Sequence, residues 1–398
     1  MSARSAIAIV VMHLVLGVVA SGSDAQGVRS FDRGRQKDPS RNGRSFLMGF
    51  TGFPYDFTIE AQQETYEHIN RFGDIVSYHF DRGIPWEEAL QGDDSYHSNL
   101  IAEIDGAVNS IRDGQRVCLA LTPQSQARRG ELALYWNEES EQPLPDAWAS
   151  RSFDDPEVAI AYLNFARYLV DRFDPDYFVY AIETNGGFVG TDDPEFLAFT
   201  IFLSRVYPIL KASYPDIPIL LSVQASADGA PRDELLEMTR TLIVFSDLIG
   251  ISTYPYLQLH FDGLVTPGDP GNIAGGLLTD IASLAPHKRI AITETGYAAE
   301  TVVLPDLGLV VPSMAEWQRE YVRWLMPRLN AMGAEFVIWF VSRDYDLALE
   351  RVANEGFDIP DLYFVWRDNG LLDGDGDARA SLGVWRSWLS LEHTPVGD

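Results

Sequence analysis

The chain has 398 residues, 46% of them hydrophobic and 12% aromatic, and its 30 basic against 58 acidic side chains give a formal charge of −28. That length suits one large α/β barrel or two ordinary domains. So acidic a body repels nucleic acid and anionic lipid, and favours a neutral partner.

At the N-terminus, Arg4 precedes an apolar run over residues 6–20, and Ser23 and Ala25 follow before Gln26. This reads as a signal peptide over residues 1–25, because the run falls short of the roughly 20 residues of a membrane span. It implies a secreted or periplasmic protein with no membrane attachment after cleavage. No Cys lies near the cleavage point, so no lipid anchor is indicated. Residues 26–44 are polar, rich in Gly and Arg and without apolar periodicity, and read as a flexible basic leader.

From residue 45 to 392, apolar strands alternate with amphipathic helices. Strands are expected over residues 46–53, 75–80, 117–121, 177–182, 217–223, 248–253, 290–293 and 336–340. They are continuous apolar runs, as in parallel strands covered on both faces. Helices are expected over residues 59–72, 99–112, 156–173, 194–213, 233–245, 273–284, 314–332 and 380–391. Pro156 and Pro194 sit near helix starts, where a missing N–H costs nothing. Residues 393–398 form a C-terminal tail. Eight such units predict an α/β fold, a single (β/α)8 TIM barrel. An open doubly wound sheet would favour a Gly-rich phosphate loop after the first strand, and Gly49-Phe-Thr-Gly52 is not one. Long loops at 122–155, with Trp136 and Trp148, and at 256–272 would stand over the C-terminal face of the barrel. Cys118, the single cysteine, lies in an apolar strand; it excludes an intrachain disulfide and reads as a small core hydrophobe.

Two carboxylates close two of these strands. Glu183 ends Phe178-Val-Tyr-Ala-Ile-Glu183, and Glu294 ends Arg289-Ile-Ala-Ile-Thr-Glu294, each just before turn-forming residues. A carboxylate at a buried strand end is costly unless it is paired or used. In a barrel the fourth and seventh strand ends face each other across the mouth. A carboxylate pair of that kind is what glycoside hydrolysis requires; a separation of about 5–5.5 Å would make the reaction retaining, and about 6.5–9.5 Å would leave room for a water and predict inversion. Nine Trp and 17 Tyr also exceed what a core needs, and aromatic faces suit the C–H faces of sugars.

On these residues the chain resembles the clan A glycoside hydrolases. Ile290-Ala-Ile-Thr-Glu294-Thr-Gly-Tyr297 resembles their nucleophile segment, and Leu248-Ile-Gly-Ile-Ser-Thr-Tyr254-Pro-Tyr256 their sixth strand. Phe336-Val-Ile-Trp339-Phe340 resembles the eighth strand, and Asn369-Gly-Leu-Leu-Asp373 with Trp385 the closing turn and helix. The resemblance implies Glu294 as nucleophile, Glu183 as acid/base, Tyr254 on the nucleophile and Trp339 as the floor under the sugar. There is one departure: many members carry Asn directly before the acid/base Glu, and here Ile182 stands there, with Asn185 the next amide.

His79 and Asp81 at the second strand end, and Gln224 at the fifth, are candidates for binding sugar hydroxyls; structural hydrogen bonds are the competing reading. Arg343 and Asp344 are expected to pair with each other. Asp373-Gly-Asp375-Gly-Asp377 lacks the full calcium-loop pattern and reads as a solvated turn. No metal or other cofactor is expected. The sequence thus predicts a monomeric, retaining, endo-acting hydrolase of a neutral β-linked glycan. Its rivals are a non-catalytic carbohydrate-binding protein on a decayed hydrolase barrel and a transglycosylase.

Overall fold

The computed structural model describes residues 43–92, 95–125, 130–225, 230–256, 258–260, 263–265, 268–356 and 359–396. The expected signal, and the leader up to residue 42, lie outside the described residues. In chain order the strands are β1 (Leu47–Thr51), β2 (Ile75–Phe80), β3 (Arg116–Leu121), β4 (Tyr177–Ala181), β5 (Ile219–Gln224), β6 (Ile249–Thr253), β7 (Gln258–His260), β8 (Gly263–Val265), β9 (Ile290–Thr295), β10 (Val302–Leu304), β11 (Leu309–Val311) and β12 (Phe336–Trp339). Eight of them close a barrel in the order β1-β12-β9-β6-β5-β4-β3-β2, and its neighbouring strands pair in parallel. The predicted (β/α)8 barrel is the fold observed.

Two hairpins were not foreseen: β7 with β8 after the sixth barrel strand, and β10 with β11 after the seventh. Their three-residue strands are too short to leave a periodic signal. Helices at Trp86–Gln91 and Asp346–Asn354 were likewise missed, while the helix expected over residues 273–284 shrinks to Thr279–Ser283.

Helix starts follow capping chemistry. Thr58 Oγ1 accepts from Ala61 N at 3.0 Å, opening the helix Ile59–Phe72. Asp155 and Asp193 each cap a helix that begins on the following proline, Pro156 or Pro194, and each accepts the N–H two residues on at 2.9 Å.

Two apolar layers result. Leu47, Ile75, Cys118, Val179, Leu220 and Ile338 belong to a cluster filling the barrel. A larger, aromatic-rich cluster fills the space between strands and helices. Cys118 is fully buried, and burial pushes its thiol up to about 12. It is an inert core residue, as the sequence suggested.

Two irregularities aim the site. Between β4 and β5 the register passes from Val179↔Leu220 to Ala181↔Leu221, so Tyr180 is the extra residue of a bulge. Side chains beyond it change sides, and Ile182 joins the barrel interior. Between β6 and β9 the register skips Thr293, which brings Ser252 opposite Glu294. Gly250 permits the close approach there, since a Cβ at that position would lie 2.5 Å from Leu221 O and 3.0 Å from Thr293 Cγ2.

Candidate active site

Glu183 lies just past β4 and is 2% exposed. Its φ of 50° is left-handed, a conformation costing an L-residue about 1–2 kcal/mol. Hydrogen bonds to β5 hold it there. Glu183 N donates to Ser222 Oγ at 2.8 Å, and Thr184 N and Oγ1 donate to Ser222 O at 2.8 and 2.9 Å. The carboxylate then takes two donors, Ser252 Oγ to Oε1 at 2.6 Å and Gln224 Nε2 to Oε2 at 2.5 Å. An amide N–H can only donate, so a proton carried by this carboxyl group would sit on Oε1, beside the Ser252 hydroxyl.

Asn185 stands behind Gln224. Its Oδ1 accepts from Gln224 N at 2.7 Å, and its Nδ2 donates to Gln224 O and to Thr239 Oγ1, each at 3.1 Å. Its amide is therefore engaged with backbone and a helix hydroxyl. It orients Gln224 in place of binding a sugar hydroxyl. The Ile182 departure also has a physical reading: the side chain is buried with Val179 and Leu220 inside the barrel and adds no polar group to the mouth.

Glu294, in β9, is 1% exposed. Tyr254 Oη donates to its Oε1 in a short hydrogen bond. Burial, then the charge of Glu294, and more weakly that of Glu183, hold the Tyr254 phenol well above its usual range, so it stays a donor. His79 Nδ1 stands 3.9 Å from Glu294 Oε2. Burial lowers the imidazole to about 4, so near neutral pH the ring is uncharged and the approach is not an ion pair. Neighbouring strands lie about 4.8 Å apart. The Glu183 carboxylate is bonded to Ser252, the residue opposite Glu294 in the β6–β9 register, and Tyr254 feels the charge of both glutamates.

Asp81 is buried at the end of β2, and its charge reaches both Tyr345 and Glu141. Glu141 has a left-handed φ of 58° and is raised to about 7 by burial, with Arg82 opposing and Asp81 adding to the shift.

Other expectations need correction. Trp339 is fully buried on the helix side of β12; its ring lies 5.9 Å from Tyr321 and 6.2 Å from Trp385, and Nε1 donates to Asn369 O at 2.8 Å. It is a core residue, not a sugar floor. The next residue, Phe340, packs instead against Tyr254, the donor to Glu294: its ring lies 6.2 Å from Tyr254 and 5.8 Å from Phe53. Trp148 is buried against Trp86, ring centroids 5.2 Å apart, and Trp136 is buried too, so neither faces a cleft. Arg343 and Asp344 do not pair with each other. Arg343 lies 3.8 Å above the Tyr55 ring and donates to Gly374 O, while Asp344 pairs with Arg379 and accepts from Gly370 N. Asp373 Oδ1 accepts from Asp375 N and Asp377 N, which closes the turn on itself. Carboxylate oxygens of Glu300, Asp344 and Asp368 lie within 4.8 Å of one another. Arg379 bonds the first two and Arg367 the third, so this is an ion-pair network.

No family model matches the chain, and no curated protein matches it. Solved structures do. A GH5_18 protein from Streptomyces cattleya, in complex with Manb1-4GlcNAc, superposes with a TM-score of 0.57 at 14% identity, over 88% of this chain and 83% of that one. A GH5_18 from Bifidobacterium longum subsp. infantis gives 0.57 at 13% identity, over 89% and 81%. Xylanase 10B from Thermotoga maritima gives 0.55 at 13% identity, over 87% and 95%. The shared feature at these identities is the barrel.

Proposed function

We propose that the chain is a glycoside hydrolase acting by the retaining mechanism on a neutral β-linked glycan. One observation carries the reading: Glu183 and Glu294 are both buried at the C-terminal end of the barrel, and Glu183 is bonded to Ser252, the residue opposite Glu294. The barrel shared with two GH5_18 proteins and a xylanase is consistent with it. In this scheme Glu294 attacks the anomeric carbon while Glu183 protonates the leaving oxygen, then deprotonates the water that releases the sugar. Tyr254 steadies the nucleophile's charge, and Gln224 and Ser252 fix the acid's orientation. The acidic body suits a neutral substrate, and the long loops around the mouth suit endo action. We also read the protein as an exported monomer, residues 1–25 being its signal.

The test is release of reducing ends from β-glucans, β-mannans, β-galactans, xylans and Manb1-4GlcNAc. Activity on one of them should fall about 10²–10⁴-fold in Glu183→Gln and at least as far in Glu294→Gln. Near-normal turnover in both variants would end the proposal. A second reading, a binding barrel without catalysis, draws on Ile182, which leaves the mouth without the amide found before many acid/base residues. Glycan binding without release would select it.

A further inference from the structure

The aromatic ring beside Glu294 carries hydrogen-bonding atoms that the described protein does not use. Tyr345 Oη, Trp366 Nε1 and His79 Nδ1 are buried and have no hydrogen-bond partner among the described residues. Each such atom costs about 1–3 kcal/mol, and buried polar groups are nearly always paired. Two other buried phenols of this chain obey that rule. Tyr180 donates to Phe245 O and Tyr256 to Val365 O, each at 2.8 Å.

The three orphans belong to one structure. The His79 ring is 5.8 Å from Phe53, and Phe53 is 5.8 Å from Phe340. Phe340 lies 6.1 Å from Tyr345 and 6.2 Å from Trp366, and Trp366 lies 5.9 Å from Tyr254, the donor to Glu294. The Tyr345 backbone N–H donates to Arg367 O at 2.9 Å, which ties its loop to the segment that carries Trp366. Both residues come from the chain that follows β12, where the sequence reading placed no ligand contact.

The chemistry narrows the ligand. An indole N–H can only donate, whereas a phenol and a neutral imidazole can donate or accept. The ligand must present several oxygens able to do both. It must also be uncharged or nearly so, because an anion would face Glu294. Aromatic rings interleaved with these donors suit a C–H face. A polyhydroxyl ring meets all three conditions.

We propose that Tyr345 and Trp366, together with His79, read the hydroxyl groups of the sugar unit held against Glu294, an inference that rests on the glycoside hydrolase reading. They are the residues that set which sugar is accepted. Tyr345→Phe removes one oxygen that nothing in the described protein holds. Its melting temperature should therefore stay level or rise, while kcat/KM falls roughly tenfold, the worth of one hydrogen bond to a substrate.

Monodeoxy substrates make the test independent of stability. One deoxy position should cost the wild type about tenfold and cost Tyr345→Phe nothing further, because the hydroxyl and the phenol are the two ends of one bond. Unchanged kcat/KM in Tyr345→Phe, or additive losses at every deoxy position, overturns the inference and leaves the hydrolase reading standing. If the wild type cleaves no glycan of the panel, the hydrolase reading fails. Calorimetric binding of the same glycans then decides this inference: weaker binding to Tyr345→Phe supports it, and equal binding or none overturns it.

Discussion

Glu183 and Glu294 stand at the same end of the barrel in opposite surroundings. Glu183 sits among short polar side chains on adjacent strands. Ser222 holds its backbone, Ser252 and Gln224 hold its two oxygens, and Asn185 holds Gln224. Glu294 sits among rings, with Tyr254 on one oxygen and the neutral His79 near the other. A polar cradle fixes the direction of the Glu183 carboxyl group, while rings around Glu294 strengthen each remaining electrostatic contact. Under the proposed function this contrast fits Glu183 as acid/base and Glu294 as nucleophile, since carboxylates in unlike environments divide such roles between them.

The largest effect expected from the aromatic side is on stability. The folded pKa of His79 is about 4, against about 6.5 in an unfolded chain. Between those values the unfolded chain binds a proton that the folded one refuses. Stability is therefore lost as pH falls from about 6.5 to 4, by up to about 3 kcal/mol from this residue. Denaturant melts from pH 7 to 4 should show a clearly shallower acid loss in His79→Gln than in the wild type. An unchanged slope would mean that the ring is not held neutral by its wall.

The polar side should give a smaller, kinetic effect. Gln224→Ala removes the donor to Glu183 Oε2 while leaving the backbone that Asn185 grips. We expect kcat to fall about 10–30-fold, near 1.4–2 kcal/mol, with KM changed much less. The alkaline limb of the pH–rate profile, which the acid Glu183 sets, should move as well, which a purely structural loss would not produce. A KM effect alone would make Gln224 a substrate-binding residue, as the sequence first suggested.

The same contrast explains what could be read beforehand. Strand runs such as Ile75–Phe80 and the two glutamates that follow apolar strands were legible, because burial on both faces leaves continuous apolar segments. The cost of that signal is parity. Phe336-Val-Ile-Trp339-Phe340 is apolar throughout, so nothing in it says that Trp339 packs on Tyr321 and Trp385 while Phe340 packs on Tyr254. The bulge at Tyr180 shifts parity again and sends Ile182 inward. Ser222 lies in no motif, and Ser252 stood out only as part of the sixth-strand segment. Their roles depend on a register that only pairing reveals, which sets Ser252 between Gln224 and Glu294. Tyr345 and Trp366 lie beyond the last barrel strand, where loop geometry, not periodicity, brings them back to the mouth.

The most direct measurement of the central claim is a covalent one. An activated 2-deoxy-2-fluoro-β-glycoside of the sugar identified by the panel should trap the glycosyl-enzyme, and peptide mapping by mass spectrometry should then locate it. One sugar per chain is expected, attached to Glu294, and none in Glu294→Gln. Attachment at Glu183, or turnover of the natural substrate to a product of inverted anomeric configuration with no trapped species, would contradict it.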